Sequence, residues 1–175
     1  MTTRRLLMIA FAITITFVQE QMLLILPNVQ FTVLLVIVFT SVFTFKESMT
    51  YIIAYVILDN MYLGGFNLFY MIPMFLAWSL IPISYHTFLR RTQNEYYLGF
   101  FAFVFGFVYG WSFIPFNMIQ TGISNFYLYL SADIMFEIIM AVVGFVTVIW
   151  LFKPLTSVLQ KLMQHQNLET SKAYK

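Results

Sequence analysis

Six apolar stretches, at about 5–26, 30–45, 49–64, 67–85, 96–116 and 131–152, dominate this chain of 175 residues. Four of them match the ~20 residues that a helix needs to cross the hydrocarbon, whereas 30–45 and 49–64 are short for full spans. Only 9% of the residues are charged against 61% apolar, and a soluble domain carries about 25% charge. Such a chain cannot cover a globule with a water-compatible surface. That excludes a soluble enzyme, a nucleic-acid module and a disordered tail. The expectation is an all-α integral membrane bundle of six transmembrane helices, residues 1–175 forming one domain, because lipid accepts an apolar exterior. With no cysteine there is neither a disulfide framework nor a thiolate metal site.

The breaks between stretches have local causes. Pro27-Asn28 ends the first, since proline lacks a donor and restricts its predecessor. Lys46-Glu47-Ser48 ends the second, Gly64-Gly65 the third, and His86 to Arg91 follows the fourth. A segment rich in Asn, Ser and Tyr, 117–131, separates the fifth from the sixth. Beyond Lys153-Pro154-Leu155 the sequence predicts a short cytoplasmic tail, 153–175, in which Val158, Leu159, Leu162 and Met163 form a modest amphipathic turn.

With both termini inside, every Lys and Arg falls on cytoplasmic segments: Arg4, Arg5, Lys46, Arg90, Arg91, Lys153, Lys161, Lys172 and Lys175. This is the positive-inside pattern, and it predicts an N-in, C-in topology in a cell membrane. Arg4-Arg5 before an apolar run also suits a signal peptide, but Gln19-Glu20-Gln21 follows in place of a small-x-small cleavage site. The first stretch is read as a retained helix.

The seven acids divide unequally. Glu47, Glu95 and Glu169 lie among the basic residues, where they read as solvated charges. Glu20, Asp59, Asp133 and Glu137 fall toward the outer ends of the spans, with no cation beside them. Ionisable groups in a membrane cost about 2.5–3.5 kcal/mol each and usually face a bundle interior or a wet cavity. Four acids without a cation therefore imply either protonated carboxyls or a polar pocket open to the outside. Asp133 and Glu137, four apart, stack on one face of helix six near its expected N-terminal end. There the helix dipole favours Asp133. A plainer account has Asp133 capping that helix and Glu137 bonding a neighbouring one. Tyr62, Phe66, Phe69, Tyr70, Trp111, Phe113, Phe116, Phe126, Tyr127 and Tyr129 gather at the same end. They suit an interfacial belt or a pocket that stacks a flat ring.

Helix one carries two small-xxx-small ridges, Ala10/Thr14 and Ala12/Thr16, suited to close helix approach within the bundle or against another subunit. Catalysis finds no footing. His86 and His165 are cytoplasmic and far apart, and no HExxH, GxSxG, Walker A or GxGxxG motif is present. Without a nucleotide site, uphill transport needs a partner.

The six-helix layout, the ridge on helix one, and the run from Ser131-Ala132-Asp133-Ile134-Met135-Phe136-Glu137 to Phe152-Lys153-Pro154-Leu155 resemble the substrate-binding S components of energy-coupling factor transporters. The resemblance implies a bacterial plasma-membrane protein that captures a vitamin or metal ion at the outer face. It also implies association with a transmembrane coupling protein and two cytoplasmic ATPases, with no cofactor in this chain. It places the docking face at Ala10, Ala12, Thr14 and Thr16, although Thr stands where the family usually has a second alanine. A second resemblance, to rod-shape membrane proteins of the MreD type, rests on Asp59 followed by Gly64-Gly65, and implies a structural partner in wall synthesis with no ligand.

Charge bears on the ligand. A strongly anionic ligand wants Arg or Lys, and the outer side has neither. Carboxylates favour an aminopyrimidine, thiazolium, pyridinium or divalent metal. Metal is the weaker fit, for want of closely spaced oxygens and a His cluster. Hydroxymethylpyrimidine, a thiamine precursor, is the leading expectation and pantothenate follows, since helix N-termini and amides can hold a carboxylate. The expected contacts are Asn60, Trp111, Asn125, Tyr127, Asp133 and Glu137.

Overall fold

The computed structural model describes residues 2–26, 28–62, 65–92, 94–122 and 125–173, without the side chains of Arg91 and 164–173. Pro27 and Gly64, invoked above as breaks, therefore lie outside the described residues, as does Lys175. So do the side chains of His165, Glu169 and Lys172. The described chain is all helical: α1 Thr3–Met22, α2 Thr32–Val42, α3 Phe45–Tyr62, α4 Leu68–Thr87, α5 Glu95–Thr121 and α6 Phe126–Ala173, with a 3₁₀ turn at Leu89–Arg91.

Helices α1, α4, α5 and α6 are long and apolar enough to cross a bilayer, compatible with a multi-pass membrane protein. Their outward faces carry large apolar side chains such as Leu7, Phe100 and Trp150. The remaining two differ. α2 has 11 residues, about 16 Å of helix, and every residue from Thr32 to Thr40 is buried. A helix apolar all round belongs inside. Helices α1, α3, α4, α5 and α6 pack in that sequence around it, and α2 touches all of them except α5 at any length.

α3 begins with a capping box: Glu47 accepts from the backbone N–H of Thr44 (2.8 Å), and the Thr44 hydroxyl accepts from that of Glu47 (3.4 Å). Glu47 is also paired with Arg5 (3.5 Å) and buried. The expectation of a solvated charge is thus corrected, because Glu47 Oε2 takes both the Thr44 N–H and the Arg5 guanidinium at the helix end. Glu95 likewise meets Lys153 at 2.5 Å, joining α5 to α6.

α1 and α3 run parallel, as two rungs with the same offset require. The Thr16 and Tyr51 hydroxyls bond at 2.6 Å, and one turn on Tyr55 donates to Glu20. α5 and α6 meet most closely. Gly99, Ala102, Gly106 and Gly110 make a small-residue ridge along α5, and a methyl group on Gly106 would lie 2.6 Å from the Ala141 backbone nitrogen.

α6 departs from expectation at both ends. It starts at Phe126 rather than near 131, and it continues past Pro154 to Ala173. Asp133 therefore lies two turns inside the helix and neither caps it nor gains from its dipole. The proline removes one backbone bond, but Phe152 is buried and Leu155 and Leu159 pack on the core. That apolar face carries the helix through the proline where a polar tail was expected.

Candidate functional site

All described basic residues gather at one end of the bundle, held by the Arg5–Glu47 and Lys153–Glu95 pairs. The opposite end holds a cleft of about 380 Å³, whose lining includes Asn28, Tyr70, Tyr109, Asn117, Asp133 and Glu137. A recess of about 230 Å³ beside it shares Asn28, Tyr70 and Tyr109 and adds Glu20 and Gln30. The two lie side by side across these three shared residues, with Asp133 and Glu137 in the cleft and Glu20 in the recess.

Each wall has a local cause. Asn28 adopts φ 58°, a left-handed conformation that asparagine tolerates better than most residues, and its amide donates to the Phe136 carbonyl at 3.0 Å. This ties the α1–α2 connection to α6. Gln19 fixes the same connection from below, donating to Thr32 Oγ1 (2.7 Å) and accepting from the Phe31 N–H (2.9 Å). The floor is the top of an aromatic pillar. Fully buried Trp78 packs on Tyr109 (ring centroids 5.1 Å apart), Tyr109 on Phe113 (5.2 Å), and Phe113 on Tyr70 (5.1 Å).

Glu137 is the central side chain. It is 2% exposed, and its Oε2 accepts from the Trp111 indole N–H at 3.0 Å. Its Oε1 has no hydrogen-bond partner among the described residues. Gly110 makes room for it, since a methyl group there would sit 2.4 Å from Oε1. A buried carboxylate oxygen without a donor is costly, about 1–3 kcal/mol or more, and such groups are few in folded proteins.

The expected contact residues separate in space. Asp133 and Glu137 line the cleft, and Trp111 orients Glu137. Asn60 is 2% exposed and bonds the Val56 carbonyl (2.9 Å) and Met74 sulfur inside the α3–α4 interface. Asn125 caps α6, accepting from the Leu128 N–H at 3.2 Å. Tyr127 is 79% exposed and packs edge-on to Phe126. Asn67 and Asn94 are caps too, so three asparagines end helices and do not line the cleft. On α1, Ala12 and Thr16 are buried in the chain's own bundle, while Ala10 and Thr14 face outward, the Thr14 hydroxyl bonded back to the Ala10 carbonyl at 2.9 Å.

Tyr109 escaped the sequence reading, although its spacing from Phe105 and Phe113 put it on one face of α5. Tyr70 was visible only as one of the aromatics at the outer end, and Asn28 and Asn117 only as parts of the breaks between apolar stretches. No group of acids and histidines suited to a metal ion is found among the described residues. Compared with protein-family models, curated proteins and solved structures, the chain matches none of them.

Proposed function

We propose that this chain is the membrane-embedded substrate-capture subunit of an importer of the energy-coupling factor type, with six spans, both termini in the cytoplasm and the cleft facing outward. The substrate is a water-soluble vitamin or precursor with hydrogen-bond donors, hydroxymethylpyrimidine first and pantothenate second. Energy comes from two partner ATPases through a coupling protein, and the exposed Ala10/Thr14 ridge supplies a surface for close helix docking.

One observation carries this reading. A buried carboxylate with a free oxygen, Glu137, sits in an aromatic-floored cleft at the end remote from the ion pairs. A ligand donor completes Glu137, and the flat Tyr70 and Tyr109 rings suit a heteroaromatic body. The rod-shape reading draws less support, because Asp59 is buried and bonded by Gln21 (3.5 Å), so it presents no docking surface.

Native mass spectrometry of the protein released from a mild detergent tests the proposal. A bound species of vitamin mass, identified by fragmentation, is the expected result. A clean apo mass that persists after adding vitamins overturns capture and moves a ligand-free scaffold ahead.

A further inference from the structure

The cleft and the recess beside it each carry acids, and a single anchor at Glu137 leaves the recess unexplained. Glu137 and Asp133 occupy the α6 end. Glu20 occupies the α1 end, where its Oε2 takes the Tyr55 hydroxyl. Between them lie Asn28, Tyr70 and Tyr109, shared by both halves. The elements facing this space bring only neutral or acidic groups: Glu20 from α1, Gln30 from the following connection, Tyr70 from α4, Asn117 from α5 and the two acids of α6. Among the described residues no Lys, Arg or His lines either half. A field of one sign, focused by low-dielectric aromatic walls, selects the opposite charge.

We infer that the cleft recognises a two-ended ligand, a flat ring on the Tyr70–Tyr109 wall that gives a donor edge to Glu137 and a positively charged group to Glu20. This rests on the substrate-capture reading and narrows it to cationic heteroaromatics, against anionic vitamins such as pantothenate. The unpartnered Glu137 Oε1 fixes one end of the ligand, and Glu20 fixes the direction of the other.

Two probes that differ at one end test this by isothermal titration of the full-length protein in detergent. Hydroxymethylpyrimidine offers the aminopyrimidine edge alone, and its aminomethyl analogue adds an ammonium group. The analogue is expected to bind at least about tenfold tighter, the scale of a charge-assisted hydrogen bond. Glu20→Gln keeps an acceptor for Tyr55, and it should erase that preference, bringing the two affinities together. Asp59→Asn, at a residue that does not line the recess, should keep the preference. Equal affinities for the two probes overturn the inference, as does a Glu20→Gln loss shared by both or a preference lost equally in Asp59→Asn. Binding of pantothenate alone also overturns it but leaves substrate capture standing. If none of the three compounds binds, the capture reading falls with it.

Discussion

The two ends of this bundle use the same residue type in opposite ways. At the basic end Glu47 and Glu95 each meet a cation, and Glu47 also closes a capping box. At the other end Glu20, Asp59, Asp133 and Glu137 have no ion pair among the described residues, and Glu137 keeps an oxygen without a donor. Acids at the first end complete the fold. At the second, Glu20 and Asp59 are bonded by Tyr55 and Gln21, and Glu137 alone of the four has a buried oxygen left without a donor among the described residues.

Substitutions can break that contrast. The largest effect is expected from Gly106→Ala, between the two ends, because the new methyl meets Ala141 backbone atoms at 2.6–2.9 Å. The helices must part, at about 2–3 kcal/mol, and both ends should loosen together. A thermal melt in detergent reads this, and an unchanged midpoint would show that α5 and α6 do not pack this closely. Glu47→Ala comes next. It removes the Thr44 cap and the partner of Arg5, costing about 1–2 kcal/mol of stability, yet ligand affinity should hold if the two ends are independent.

Glu137→Gln reverses that pattern. The melting midpoint should stay near wild type, since glutamine still accepts from Trp111, while affinity falls about tenfold. Titration against Asp59→Asn sharpens the test: equal losses from the two would remove Glu137 as the anchor. Lys153→Ala is the smallest. Its side chain is 62% exposed, and an exposed ion pair contributes little to stability. A large melt shift, or one unaffected by salt, would show that the Glu95 pair is screened from water.

Much of the architecture was legible because long apolar runs have few places to go. The existence and order of six helices followed from hydropathy, and the outer acids stood out because nothing nearby could neutralise them. Individual site residues were harder. Asn60, Asn125 and Tyr127 have the right chemistry for a ligand, but an asparagine in sequence does not disclose whether it caps a helix, bridges two, or faces a cleft. Gly99, Ala102, Gly106 and Gly110 of α5 form a readable small-residue signal at spacings of three and four, as plain in the sequence as the alanines and threonines of α1.

What the sequence by itself determined is an apolar surplus compatible with a membrane and the segregation of charge. The Lys and Arg residues fall at the two ends of the chain and in the second and fourth gaps between the apolar runs. Only the tertiary structure decided that α2 is enclosed, that α6 outlasts its proline, and which acids share a cleft. Hydropathy sums over one helix at a time. Enclosure, continuation and convergence are set by the neighbours each helix face meets, and those neighbours come from distant parts of the chain.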